Sequence, residues 1–250
     1  MNPVIELLKS HRSIRKFTDQ EIAPELFAEL LRAGQAAATS SFLQGSTLIR
    51  VTDPGARAEL AKLAGNQAYI VSAAEFMVCC ADLKRAGNYC HEYGKPFEGD
   101  FTEHFIIATV DVALMAQSLV TAAESVGLGI CYIGGIRNNP REVSELLQLP
   151  RGVYPVFGLC LGYPDQDPEV KPRLPLSVIL KQGSYHEEGD REAIAEYDER
   201  VQEYYRTRTG GGHGIRWTEQ VATLLAEKSR PHMREFLAGQ GFTFKLQIAA

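Results

Sequence analysis

Between Thr102 and Ser125 the chain carries a stretch so apolar that it must be hidden from water, and Gly127 follows where a left-handed helix cap would stand. The most hydrophobic part, Phe105 to Val126, is long enough to raise the question of a membrane span. Asp111, Gln117, Glu124 and several Ser and Thr residues interrupt it, so a helix buried inside a soluble protein fits better. A chain organised around such a helix needs sheet or further helices to cover it.

Those elements are legible on both sides. Asn2 and Pro3 open a helix with Ile5, Leu7 and Leu8 on one side, and a second starts near Pro24 with Leu26, Phe27, Leu30 and Leu31 toward a core. Thr47–Thr52 reads as a strand, followed at Asp53–Pro54 by a helix containing Leu60 and Leu63. Glu75–Ala81 is a short continuous apolar run, which predicts a central strand. Ile130–Ile133 and Tyr154–Leu161 are further strands, with a helix from Asn139 or Pro140 through Leu147 between them. Few strands separated by helices predict a mixed α and β class with one sheet buried by helices. Periodicity says nothing of strand direction.

After Leu161 the character changes. The segment GYPDQDPEVKPRLP lacks an apolar period and predicts an extended surface stretch. Asp190 is expected to cap a helix with Ile194, Tyr197, Val201 and Tyr204 at helical spacing, and helices near Trp217–Leu225 and Pro231–Leu237 follow a glycine run. A tail of this kind is too small for a core of its own, so it is expected to wrap the main domain or reach a second subunit.

Composition narrows the function. The 250 residues carry 26 basic and 31 acidic side chains, a formal charge of −5, which argues against nonspecific nucleic-acid binding but leaves room for a local phosphate pocket. The five cysteines form no CxxC pair and no zinc spacing, and the N-terminus has no signal-peptide pattern, so reduced thiols in the cytoplasm are expected. No GxSxG elbow or P-loop occurs, and His91 and His104 have no accompanying ligand pattern.

Four features can carry chemistry. HRSIR, His11 to Arg15, sets an imidazole and two guanidiniums beside Ser13, either a solvated basic turn or a cradle for phosphate. KPR, Lys171 to Arg173, projects two cations from a backbone stiffened by Pro172; alone it reads as a charged loop, but with HRSIR it can enclose one phosphate. Gly134 and Gly135 stand between a strand and a helix, an ordinary turn or a place where backbone N–H groups meet a ligand. Ser40–Ser46 and Asn66–Gln67 offer neutral donors and acceptors that suit a flavin edge, and structural capping explains them equally well.

Taken in order, HRSIRKFTDQ, SSFLQ, DVALMAQSLVTAAESVGLG, YIGGIRNNP, FGLCLGYP and KPRLP resemble the nitroreductase family, in its oxygen-insensitive NADPH nitroreductase and flavin reductase branch, over nearly the whole chain. The resemblance implies an α+β fold with a central, mostly antiparallel sheet flanked by helices, and an intertwined homodimer with a C-terminal excursion. Residues 1–163 would form the FMN-binding core, and 164–250 would complete the same single domain and the dimer.

It further implies non-covalent FMN and NADPH as hydride donor. His11, Arg12, Ser13 and Arg15 match the segment holding the flavin's phosphate, ribityl chain and pyrimidine side, and Ser40 and Gln67 match further FMN contacts. Tyr132, Ile133, Gly134 and Gly135 match the backbone strip beside the isoalloxazine, and Lys171 and Arg173 the pair completing the phosphate site. FMN does the chemistry, so no catalytic side chain is expected.

The chain departs from the branch after Tyr204 and Tyr205. Gly210, Gly211, Gly212, His213 and Gly214 stand where a basic cluster is usual, leaving Arg208, Arg216 and Arg230 as candidates for the NADPH 2′-phosphate. The segment Asn88–Asp100 is also longer than usual. The implied activity is ping-pong hydride transfer from NADPH to nitroaromatic, quinone or flavin acceptors. A dedicated flavin reductase supplying reduced FMN to a partner and a non-catalytic flavin-binding protein are the alternatives.

Overall fold

A computed structural model describes residues 2–97, 102–208, 212, 214–227 and 230–244. Gly210, Gly211 and His213 of the glycine run, and the Asp100 end of the Asn88–Asp100 segment, lie outside the described residues. The chain divides into two compact units, one of residues 1–9, 13–166 and 230–250, the other of residues 10–12 and 167–229.

The first unit is built on a four-stranded sheet, β1 (Ser46–Arg50), β2 (Glu75–Asp82), β3 (Gly129–Ile133) and β4 (Val153–Gly162), in the order β1-β2-β4-β3. Each neighbouring pair is antiparallel. Along β2 successive residues point to opposite faces: Met77, Cys79 and Ala81 enter one core cluster, Phe76, Val78 and Cys80 the other. A strand covered on both faces has no need of polar alternation, which is why its sequence is a continuous apolar run.

Pro155 sits in β4, a central strand, where a residue without N–H is normally excluded. The register slips there, with Cys79 opposite Phe157 and Cys80 opposite Pro155, so Val156 is the extra residue of a bulge that accommodates the missing donor.

The helices of this unit are α1 (Pro3–Lys9), α2 (Pro24–Gln35), α3 (Pro54–Leu63), α4 (Tyr69–Ser72), α5 (Lys84–Glu92), α6 (Thr102–Ser125) and α7 (Pro140–Leu146). Asn2 Oδ1 accepts from the Val4 amide at 2.9 Å and Asp53 Oδ1 from the Ala56 amide at 2.7 Å, the caps their sequences announce. The first cluster packs α2 and α6 on one face of the sheet, and the second packs α3, α4 and α7 on the other. The sequence motifs did not announce α4 or the polar α5.

Helix α6 has the predicted bounds and is followed by Gly127 at φ +81°, but it is not buried all round. Ala108, Val112, Ala116, Leu119, Val120 and Ala123 face the core, while Ile106, Val110 and Leu114 remain 44–48% exposed. Helix α1, which packs against α6, likewise leaves Val4, Ile5 and Leu8 exposed. The expected core helix is present, and its all-round apolar sequence conceals two faces, of which this unit covers one. By length and composition α6 could cross a membrane, yet its inward face is a packed protein surface.

The second unit holds α8 (Leu176–Ile179), α9 (Asp190–Thr207) and α10 (Trp217–Glu227). Tyr197 and Val201 of α9 are buried, and Trp217 meets Tyr197 edge-on at 5.9 Å. Buried Asp198 accepts from both the amide and the hydroxyl of Thr218, which docks the start of α10. Asp190 is not the cap of α9. Left-handed Gly189 holds that position, and the Asp190 carboxylate is engaged by Lys181 while lying in the first helical turn, where a negative charge suits the helix dipole.

The last described stretch belongs to the first unit. Its helix α11 (Met233–Gly239) starts later than Pro231, after Arg230 adopts φ +44°. Phe236, Leu237 and Phe242 are buried in the first cluster, where Phe242 meets Phe105 and Tyr154 edge-on at 5.9 and 5.1 Å.

Candidate functional site

In the first unit, the segment after α1 lies along the edge of the sheet. The Ile14 amide donates to the Ile130 carbonyl at 2.8 Å, the Thr18 amide to Tyr163 at 2.9 Å, and Phe17 bridges to Pro164. Ile14 points inward and is buried, so its neighbours Ser13 and Arg15 are turned away from the core. The alternation of a strand edge thus selects which side chains of HRSIR are available.

The positive charge of Arg15 lies near enough to Tyr69 to act on its hydroxyl. The Tyr69 hydroxyl donates to Gln67 Oε1 at 2.6 Å, and Gln67 Nε2 donates to the Ala64 carbonyl at 2.8 Å. Burial raises the Tyr69 pKa and Arg15 opposes that shift, so the phenol stays a neutral donor. Burial also raises the pKa of the nearby Cys131 thiol, again opposed by Arg15. The fold therefore brings together Arg15 and Gln67, two predicted site residues, through Tyr69, which sequence reasoning missed. Tyr69 stands two positions after Gln67 in a short helix that no motif marked.

The same turn explains one of the two glycines. A side chain at Gly135 would place its Cβ 2.2 Å from the Ala64 oxygen and 2.5 Å from Gln67 Nε2, so only glycine fits. Gly134 is less confined, its nearest approach being Arg137 at 3.6 Å. Both open a 3-10 turn, Gly134–Asn138, directly after Tyr132 and buried Ile133. Tyr132 meets Phe157 edge-on at 5.1 Å and directs its hydroxyl toward Gln117 at 3.4 Å; burial moves its pKa well upward.

Arg230 lies at this turn, its Nε donating to Asn138 Oδ1 at 2.9 Å. Neighbouring Arg137 is spent on the Val156 carbonyl, and burial followed by the charge of Arg230 lowers its pKa. Ser40 begins a loop whose backbone is held by Asp111, the amide meeting Oδ1 at 3.0 Å.

In the second unit, Arg12 pairs with Asp167 and donates to the Ser10 carbonyl at 3.2 Å, next to His11. Its Nε is buried and has no hydrogen-bond partner among the described residues. A buried N–H left unpaired is costly, so this guanidinium suits an acceptor supplied by a bound anion. Lys171 donates to the Tyr205 hydroxyl at 2.5 Å, and Arg173 donates back to the Lys171 carbonyl at 2.7 Å. Tyr197 holds the Pro172 carbonyl at 3.0 Å, so KPR is fixed to α9 rather than free in solvent. Arg208 stands at the C-terminal end of α9, 4.8 Å from the Tyr205 ring centre, whereas Arg216 lies 3.6 Å from Glu199.

Comparison with known proteins adds an independent line. A family model described as the nitroreductase family matches residues 8–163, and one described as that family's C-terminal domain matches residues 171–245. The NADPH-flavin oxidoreductase of Vibrio harveyi is 47% identical over 242 residues, covering 96% of this chain and 98% of that protein. The oxygen-insensitive NADPH nitroreductase of Salmonella typhimurium is 42% identical over 242 residues, covering 97% and 99%. Among solved structures, the NADPH:FMN oxidoreductase from Vibrio harveyi complexed with NAD+ superposes with a TM-score of 0.88 at 45% identity, over 96% of this chain and 98% of that one.

Proposed function

The chain belongs to the nitroreductase family, and on that premise we propose that it is an FMN-dependent oxidoreductase that moves hydride from NADPH to nitroaromatic, quinone or flavin acceptors. The observation that carries this reading is its likeness, nearly end to end, to an NADPH-flavin oxidoreductase and an NADPH nitroreductase. FMN supplies the chemistry, a two-electron carrier loaded by NADPH and emptied by the acceptor in a ping-pong cycle. The protein's part is binding, orientation and electrostatics.

For the cofactor we propose the residues singled out in the sequence. His11, Arg12, Ser13 and Arg15 hold the phosphate, ribityl and pyrimidine portions, with Lys171 and Arg173 adding positive charge at the phosphate. The orphaned Nε of Arg12 supports this assignment. Ser40 and Gln67 are further contacts, and Tyr132, Ile133, Gly134 and Gly135 form the strip beside the ring system. No side chain is required as an essential acid or base. Arg208, Arg216 and Arg230 bind the nucleotide; Arg216 is the weakest candidate because Glu199 already attends it.

We further propose that the active form is a cytoplasmic homodimer, with residues 1–163 as the FMN-binding core and 164–250 completing the same domain and the dimer. The exposed apolar stripe of Ile106, Val110 and Leu114 supports a second copy at that face, since a lone subunit seldom leaves such a row in water.

An absorbance spectrum of the purified protein, repeated anaerobically after NADPH and then NADH, tests the function. Yellow protein bleached by NADPH is the expected result. A protein that stays colourless after FMN is supplied would overturn it.

A further inference from the structure

Asp111 is 1% exposed, in the inward face of α6. A buried carboxylate is held only at a cost that several hydrogen bonds must offset. Both of its oxygens are used on one loop: Oδ1 accepts from the Ser40 amide and Oδ2 from the Gly45 amide, each at 3.0 Å. The two bonds fall on the two ends of the segment Ser40–Gly45.

Between those ends the backbone is in a conformation that ordinary residues avoid. Ser41, Phe42 and Gln44 have φ of +50°, +58° and +54°, and Phe42 is 82% exposed, so packing of its own side chain does not hold the loop. Such left-handed positions persist where the surroundings over-determine them. The Leu43 amide to Ser40 and the Ser46 amide to Gln44 are local turns at 2.9 Å. The Gln44–Gly45 end is tied as well by the Asp82 amide to the Gly45 carbonyl at 2.9 Å and by Arg85 to the Gln44 carbonyl at 3.2 Å, whereas Asp111 supplies the longer-range bond at Ser40. Gly45 lies flush on α6, where a Cβ would come within 3.2 Å of Ala108 Cα. The carboxylate is thus a clamp that fastens both ends of a strained loop to the helix.

We propose that Asp111 is a positioning residue for the cofactor site: by clamping Ser40 and Gly45 it holds the Ser40 loop in the one conformation that meets the flavin. This rests on the assignment of Ser40 to FMN. It also makes α6 the element that fastens the flavin loop on one face and carries the apolar stripe on another.

The test uses the full chain with Asp111→Ala and Asp111→Asn, reading residue-resolved amide exchange and FMN affinity. In Asp111→Ala, exchange at Ser40 and Gly45 should accelerate about tenfold or more while the β2 and β4 amides keep their protection, and FMN should bind about tenfold more weakly. Asp111→Asn, which keeps one acceptor oxygen, should fall between and serves if the alanine variant does not fold. Released amides with unchanged FMN affinity, unchanged amides, or affinity lost only in step with protection across the whole sheet would each overturn the proposal. Wild-type protein that takes up no FMN would instead sink the functional reading, with the exchange data still judging the clamp.

Discussion

Lys171 and Tyr205 are joined twice: the lysine Nζ donates to the tyrosine hydroxyl at 2.5 Å, and the ammonium lies 4.9 Å from the centre of the same ring. A lysine in solvent samples many rotamers, and ordering it at a ligand costs entropy. Tyr205 meets that cost within the protein, because it is itself anchored to Gln220 at 3.1 Å. Arg208 stacks on the same ring, so one aromatic side chain holds two of the proposed ligand-binding cations.

Removing either of two cations should loosen FMN. Arg15→Ala and Lys171→Ala each delete a charged donor, of the kind worth about 1.5–3 kcal/mol, so the Kd for FMN should rise about tenfold or more. Fluorescence titration of the flavin-free protein measures this. Wild-type affinity in both variants would remove the reason for assigning the two basic segments to one phosphate.

Arg208→Ala should raise KM for NADPH about tenfold while leaving KM for NADH nearly unchanged, since only NADPH offers the 2′-phosphate. Steady-state kinetics with both nucleotides decide it. Equal effects on the two would show that Arg208 does not read that group.

Val110→Asp places a charge in the exposed apolar row of α6. If that row meets a second subunit, the dimer should dissociate at about tenfold or greater concentration, because the carboxylate has to be stripped of water. Sedimentation across a range of protein concentrations reads the shift. Wild-type behaviour would take this face out of the interface.

Gly135→Ala should destabilise the fold by about 1–3 kcal/mol. The added methyl would fall 2.2 Å from the Ala64 oxygen, a backbone atom unable to rotate aside. Urea unfolding is the measurement, and stability equal to the parent would show that the Ala64–Gln67 turn yields freely.

Stability should be level up to about pH 9 and decline above it. Burial, with the charge of Asp82 adding to it, pushes the Cys80 thiol from its ordinary 9.0 up to about 12. Burial chiefly pushes Tyr154 from 10.0 to about 12, and Cys79 and Cys160 move in the same direction. In this window the unfolded chain releases protons that the folded chain retains, so rising pH favours unfolding between about 9 and 12. Urea midpoints from pH 7 to 11 test the sign, and a level profile would contradict it.

Local chemistry wrote most of the elements into the chain. Asn2–Pro3 and Asp53–Pro54 announce helix starts because a cap and a residue without N–H satisfy the first turn, and Gly127 marks the end of α6 because its backbone is left-handed there. The unbroken apolar run of β2 declares a strand covered on both faces. The ordered motifs carried the family, and with it the cofactor.

Tertiary structure decided the rest. Alternation tells which face a side chain takes but not which way the neighbouring strand runs, so the antiparallel order and the bulge at Val156 appear only in the paired sheet. The Arg15 charge comes to act on Tyr69, which is bonded to Gln67, although no spacing rule connects Arg15 with that pair. Gly135 reads in the sequence as an ordinary turn or as a place where a ligand comes close, and the fold shows the Ala64 carbonyl occupying its missing side chain's place. Asp111 is an interruption in an apolar helix until Ser40 and Gly45 are brought to it from about 70 residues away, where a buried charge becomes a clamp. What a residue is belongs to the sequence; what it meets depends on long-range packing, whose contacts leave no local period to read.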